Sequence, residues 1–145
     1  MLLTRADNGF LLVRTGKRRV GLELSHVLGV APLGSVHPVP SVDSAVRGVA
    51  KVQGKMVPVI HLGALLEGAS CPPECGDTGV LVSVGGRCLC LEVDEAELLV
   101  RDRALPVPQG TTMPWAFGVA KHAGGLVPLL DLPALSSRFM ETGSI

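Results

Sequence analysis

Four cysteines are the residues best equipped for chemistry in this 145-residue chain. Cys71 and Cys75 sit in the stretch EGASCPPECGDTG, residues 67–79, while Cys88 and Cys90 alternate in a run that reads as a strand. The strand period of two puts the Cys88 and Cys90 thiols on one face. Four thiolates can hold zinc, but structural zinc sites are usually built from CxxC knuckles and neither pair has that spacing. Cys88 and Cys90 therefore read as small core residues, with no metal and no cofactor expected. A Cys71–Cys75 disulfide is sterically possible in such a loop, but the chain opens without the order of a secretion signal, and a reducing cytosol argues against the bond.

The four histidines, His26, His37, His61 and His122, are scattered and none has HExxH or CxxH context. His61 and Asp131 occupy equivalent places in a repeated segment described below. Both read as strand-end residues that hydrogen-bond to backbone rather than as a catalytic pair. No GxSxG elbow, P-loop or GxGxxG run is present, and VGGR at Val84 is a hairpin turn rather than a phosphate cradle. Asp94, Glu95 and Glu97 beside Arg101, Asp102 and Arg103 read as a solvated charged face. No catalytic residue is expected, and the chain does not read as an enzyme.

What the sequence does say strongly concerns construction. GVAKVQGKMVPVIHLGAL (Gly48 to Leu65) returns 70 residues later as GVAKHAGGLVPLLDLPAL (Gly118 to Leu135), with ten of eighteen positions identical and no gap. Each copy reads as strand, two-residue turn (Gly54-Lys55; Gly124-Gly125), strand and a short helical tail. Upstream, FLLVRTGKRRVGLEL reads as a hairpin turning at Thr15-Gly16-Lys17, and GVLVSVGGRCLCLEV as another turning at Gly85-Gly86. These hairpins align 69 residues apart, at Leu12/Leu81, Val13/Val82, Gly16/Gly85, Arg18/Arg87, Leu22/Leu91 and Glu23/Glu92. Each is followed by a short apolar run, HVLGV or AELLV, and a proline-bracketed loop, HPVP or LPVP. Pro58 and Pro128 lie inside apolar runs, where a missing N–H is expected only at a sheet edge or bulge.

Each half thus offers about five short strands, too few to bury both faces of a sheet alone, so two copies must curl and press apolar faces together. The division expected is a single domain, 1–145, of two pseudo-repeats, about 9–67 and 79–136, joined by a loop at 68–78. A helix from Pro133 to about Glu141 would close the chain with a stripe of Leu135, Phe139 and Met140. Composition agrees: 47% hydrophobic, 18% charged, 13 basic against 13 acidic residues and only four aromatics. That balance excludes general disorder and lacks the basic field and stacking platforms of a nucleic-acid binder. No apolar run is long enough to span a membrane as a helix, so a cytoplasmic protein without membrane insertion is expected.

The order of these pieces, over roughly residues 9 to 136, resembles the CheW-like family. The repeated segment is similar to the family's Gly-Val-x-Asn-Leu-Arg-Gly-x-x-[Val/Ile]-Pro-Val-[Ile/Val]-Asp-Leu through Gly48, Val49, Gly54, Val57, Pro58, Val59, Ile60 and Leu62. A later Val-Asp element is matched by Val93-Asp94. The resemblance implies a mainly β fold of two packed SH3-like five-stranded barrels. It also implies a noncatalytic adaptor joining a chemoreceptor's cytoplasmic signalling tip to the regulatory domain of a CheA-type histidine kinase. Carried onto this chain, it implies receptor binding at Val27, Gly29, Val30, Gly48 and Gln53, and kinase binding at Gly54, Val93, Asp94 and Gly118. A bulky residue at Gly48 is expected to block the receptor without unfolding the chain.

Three positions depart from the family pattern. Gln53 stands where the pattern has arginine, Gly29 where it has glutamate, and His61 where it has aspartate. Glutamine cannot reproduce arginine's five-donor fork. The departures point to a divergent member in a specialised chemosensory system. The alternative they open is a protein that binds a receptor or other partner without coupling to the kinase.

Overall fold

A computed structural model describes residues 9–41, 43–101, 104–110, 113–135 and 137. Among these residues the strands and the helix α1 follow in order: β1 (Phe10–Thr15), β2 (Arg18–Glu23), β3 (Val27–Pro32), β4 (Val36–His37), β5 (Val46–Val52), β6 (Lys55–His61), α1 (Leu62–Glu67), β7 (Thr78–Val84), β8 (Arg87–Val93), β9 (Glu95–Val100), β10 (Ala116–His122) and β11 (Gly125–Leu130). They form two sheets, β9-β1-β2-β11-β10 and β3-β7-β8-β6-β5-β4. The architecture is mainly β with two SH3-like units, as the family resemblance implies.

The sheets do not follow the halves of the sequence. The first half's opening hairpin, β1–β2, is built into the sheet of β9, β10 and β11, while β7–β8 completes the sheet of β3 to β6. Two parallel contacts make the exchange, Leu129↔Gly21 in one sheet and Val59↔Cys90 to His61↔Glu92 in the other. The chain crosses from one sheet to the other through the 3-10 turn Leu24–His26 and, at the equivalent place, through Val93-Asp94.

This exchange explains why the hairpins are apolar at consecutive positions. Side chains alternate across a strand, so a strand buried on both faces reads as an unbroken apolar run. Val80, Val82 and Val84 of β7 face the main core, which they share with Leu11, Val13, Val20 and Leu22 of β1–β2. Leu81 and Cys90 turn the other way, into a smaller cluster with Val52, Val57 and Val59. Phe10, Ala120 and Leu129 fill the corresponding interior of the other unit. The main core is therefore the seam between the units, and each unit keeps a thin interior of its own.

The β5–β6 and β10–β11 turns lie one residue earlier than the glycine pattern suggests. Val52 pairs with Lys55 and His122 with Gly125, so the loops are Gln53-Gly54 and Ala123-Gly124. The φ angles, 51° and 83° in the first and 51° and 80° in the second, are those of a type I′ turn. The strand twist imposes that turn, and glutamine and alanine accept the left-handed conformation because the following glycine takes the second positive φ without cost.

Pro58 and Pro128 sit neither at an outer strand nor at the bulges, which fall at Val46/Gly48 and Ala116/Gly118. Each precedes by one residue the start of its strand's parallel contact, at Val59 and Leu129, where the strand still has only one neighbour. Residues 132–135 and 137 are helical and Leu135 packs on the main core, while Phe139 and Met140 lie outside the described residues. No helix among the described residues is long and apolar enough to cross a membrane.

Candidate functional site

The outer strand β3 pairs on one side only, with β7. Its side chains alternate. Val27 and Ala31 turn inward against the two cores, and Leu28 and Val30 turn outward, 54% and 47% exposed. Of the receptor positions expected on this strand, Val30 alone presents an apolar side chain to solvent, and Leu28 is its missing partner. The alternation from Val27 onward carried that signal, but Gly29 obscures it by leaving no side chain to mark the inward face.

Gly29 has one close neighbour, the end of an exposed and flexible side chain that could move aside, so the structure does not require glycine there. A β-carbon there would stand 3.1 Å from the side-chain nitrogen of Gln53, at the exposed β5–β6 turn. The two places where the family pattern carries glutamate and arginine thus meet in space, and both are uncharged here. They are neighbouring uncharged positions rather than two separate losses.

Gly48 differs from the expectation placed on it. It is buried with φ of +154°, and a β-carbon would run into the backbone carbonyl of His37 and stand 2.9 Å from the α-carbon of Pro38. A tyrosine there would have to displace backbone, so it would disturb the fold as well as any docking surface. Gly118 is the same device in the second copy: a β-carbon would sit 2.7 Å from the carbonyl oxygen of Leu105, whose backbone bridges Val119.

The four positions expected for the kinase lie on separate elements. Gly54 is at the exposed β5–β6 tip, and Gly118 lies within β10. Val93 is buried at the crossing between sheets. Beside it, the Asp94 carboxylate accepts a hydrogen bond from the Gly16 N–H at 2.7 Å and lies 3.6 Å from the Arg14 guanidinium. Asp94 therefore fastens the β1–β2 turn to the crossover. The rest of the acidic cluster is paired too. Arg14 reaches Glu95 at 3.3 Å, and Arg19 holds Glu97 through two bonds of 2.7 and 3.3 Å. The hydrogen bond from Arg19 holds the Glu97 carboxyl below its ordinary range. Asp102 and Arg103 lie outside the described residues.

His61 and Asp131 do what their shared position requires. His61 Nδ1 accepts from the Ala64 N–H at 2.9 Å and caps α1, and an Asp131 carboxylate oxygen accepts from the Ala134 N–H at 3.2 Å. An imidazole has replaced a carboxylate in the same capping bond.

Arg47 and Glu92 were not singled out by the sequence. The guanidinium holds the carboxylate through bonds of 2.7 and 3.0 Å, with side chains 11% and 3% exposed. Arg47 also donates to the carbonyls of Pro72 and Glu74, and Glu92 accepts from the Gly76 N–H. One buried pair therefore fastens the 68–78 joint to a strand from each half. Nearby, Cys71 donates its S–H to the Ala45 carbonyl at 3.2 Å. Burial pushes the Cys71 and Cys75 thiols up, and pushes Cys90 up to about 11. Raised thiols are poor nucleophiles. Among the described residues no three metal-ligating side chains come together.

The family model described as CheW-like domain matches residues 9–139 of this chain. The chain belongs to the CheW-like family. In fold it is similar to the crystal structure of the scaffolding protein TtCheW from Thermoanaerobacter tengcongensis, with a TM-score of 0.73 at 20% identity over 86% of this chain and 89% of that one. No curated protein matches it by sequence. Within this CheW-like frame, Gly48, Gly118, Asp94 and His61 are positions that build the fold. Leu28, Val30, Gln53 and Gly54 are exposed at the surface.

Proposed function

We propose that this CheW-like chain is a noncatalytic chemosensory adaptor that acts in the cytoplasm. It couples the signalling tip of a chemoreceptor to the regulatory domain of a CheA-type histidine kinase. The carrying observation is the outward apolar pair Leu28 and Val30 on an outer strand paired on one side only. Exposed apolar anchors on a rigid strand suit the apolar face of a helical hairpin, and a polar surround sets its orientation. Val30 makes direct contact together with Leu28, and Gln53 lies at the edge of the same surface. Val27, Gly29 and Gly48 shape that surface from within. Kinase docking at the exposed Gly54 turn is the second half of the same reading, while Val93, Asp94 and Gly118 lie on other elements and contribute to the fold rather than to that turn. Residues 9–67 and 79–136 act as one unit, since each half contributes a hairpin to the other's sheet.

The uncharged Gln53, which shares the β5–β6 turn with Gly54, favours a second reading, in which a receptor or other partner is bound and the kinase is not. One titration separates the two. The chain is titrated with a soluble receptor-tip fragment and, separately, with the kinase regulatory domain. Leu28→Glu/Val30→Glu is expected to weaken receptor binding at least about thirtyfold, the scale of a two-residue hot spot, with an unchanged far-ultraviolet spectrum. Unchanged receptor affinity in that folded variant would overturn the surface. Binding of receptor without kinase would select the second reading.

A further inference from the structure

The two ends of the molecule are built alike, and one carries groups that the likeness does not explain. In each half a hairpin tip places a lysine opposite an exposed apolar residue: Lys51 pairs with Met56 and Lys121 with Leu126. Beside each tip lies the turn of the exchanged hairpin, with Arg18 at one end and its counterpart Arg87 at the other. These shared residues belong to the repeat. Lys17, Arg19 and His122 do not: their counterparts are Gly86, Cys88 and Val52. The second fold unit is completed without such groups at the other end, so folding does not require them.

At the basic end they converge. Lys17, Arg19, His122 and Leu126 line one open depression between the β1–β2 turn and the β10–β11 hairpin, and Lys121 joins an adjoining one. Leu126 is 52% exposed, an apolar floor among cations. The turn is held in place, because Arg18 lies 5.7 Å from the centre of the Trp115 ring and Arg19 is fixed on Glu97. Glu67 lines the far side of the turn with Lys17 and Arg18. At this end Arg14 and Arg19 are engaged by Asp94, Glu95 and Glu97, which leaves Lys17, Arg18 and Lys121 against Glu67 on a chain whose overall charge is zero.

We infer that this end is a further docking surface, for an acidic peptide segment of a partner protein that sets an apolar side chain against Leu126. The charge excess attracts carboxylates, and the two-bond grip of Arg19 on Glu97 shows the carboxylate geometry that this face already accepts. A bilayer surface is the poorer fit: three cations free of ion pairs among the described residues fall short of the clusters of about 4–8 that bind anionic headgroups, and they border a depression between two hairpins rather than a flat face. The surface is distinct from β3 and does not rest on receptor binding there.

The test uses the full chain and a labelled short peptide of alternating glutamate and leucine, followed by anisotropy at low salt. A glutamine–leucine peptide and anionic phospholipid vesicles serve as comparisons. The glutamate peptide should bind, and Lys17→Glu/Lys121→Glu should weaken it at least about tenfold. Lys51→Glu/Arg87→Glu, at the equivalent end, should change it less than about twofold. Leu126→Gln should weaken it separately from the charge reversal. Equal binding of the glutamine peptide, equal effects of the two reversals, or binding to vesicles without binding to the peptide would each overturn the inference. All substituted side chains are exposed, so a retained far-ultraviolet spectrum accompanies every reading.

Discussion

Replacing Arg47 by methionine removes a side chain that joins β5 to β8 and to the 68–78 joint. The Glu92 carboxylate, 3% exposed, would keep only the Gly76 N–H as its partner, and the carbonyls of Pro72 and Glu74 would lose theirs. Breaking a buried ion pair from one side costs about 3–5 kcal/mol, because the remaining charge stays buried and unpaired. The lower figure applies here, since both carbonyls are exposed and water can replace the guanidinium. A loss of about 3 kcal/mol is a large fraction of the roughly 5–15 kcal/mol that holds a domain together. Urea unfolding followed by the fluorescence of Trp115, the sole tryptophan, which packs against the main core, reads it directly. Arg47→Met/Glu92→Met should lose less than the sum of the single changes, with a coupling of about 2 kcal/mol. A single-variant loss below about 1 kcal/mol, or additive losses, would refute the clip.

Gly48→Ala should cost at least about 2 kcal/mol in the same assay, because it adds a β-carbon against the His37 carbonyl at a φ that side chains avoid; an unchanged midpoint would show that the strand can shift. His61→Ala should cost about 1 kcal/mol through the lost cap, while His61→Asp should stay within about 0.5 kcal/mol of the parent, as Asp131 already fills that role. Cys90 keeps its neutral thiol up to about pH 11 against an ordinary 9.0, so its contribution is complete below pH 9 and lost as pH rises to 11. Unfolding midpoints measured across that window should fall by up to about 3 kcal/mol more in the parent than in Cys90→Ala. Parallel curves would contradict it.

The repeat made most of the fold legible. Ten identities in eighteen residues announced two equivalent hairpins, and the matched His61 and Asp131 announced their capping bonds. Which hairpin joins which sheet was not legible, because β1–β2 and β7–β8 are similar enough to complete either one. The turn register slipped by a residue because nothing in the sequence marks Gln53 or Ala123 as left-handed, whereas the glycines after them are conspicuous. Arg47 and Glu92 stand 45 residues apart in no periodic pattern, so only the folded chain brings them together. At the proposed docking surface, Val30 and Gln53 come from the family pattern. Leu28 is added by its exposure, since the pattern marks Val27 and Gly29 on the inward face.

Adaptor function is tested most directly by sedimenting receptor-tip assemblies with the kinase regulatory domain, with and without this chain. The regulatory domain should enter the pellet only when the chain is present, and Leu28→Glu/Val30→Glu should leave both in the supernatant. A regulatory domain that stays in solution while the chain pellets, or a chain that never meets the receptor, would contradict the coupling role.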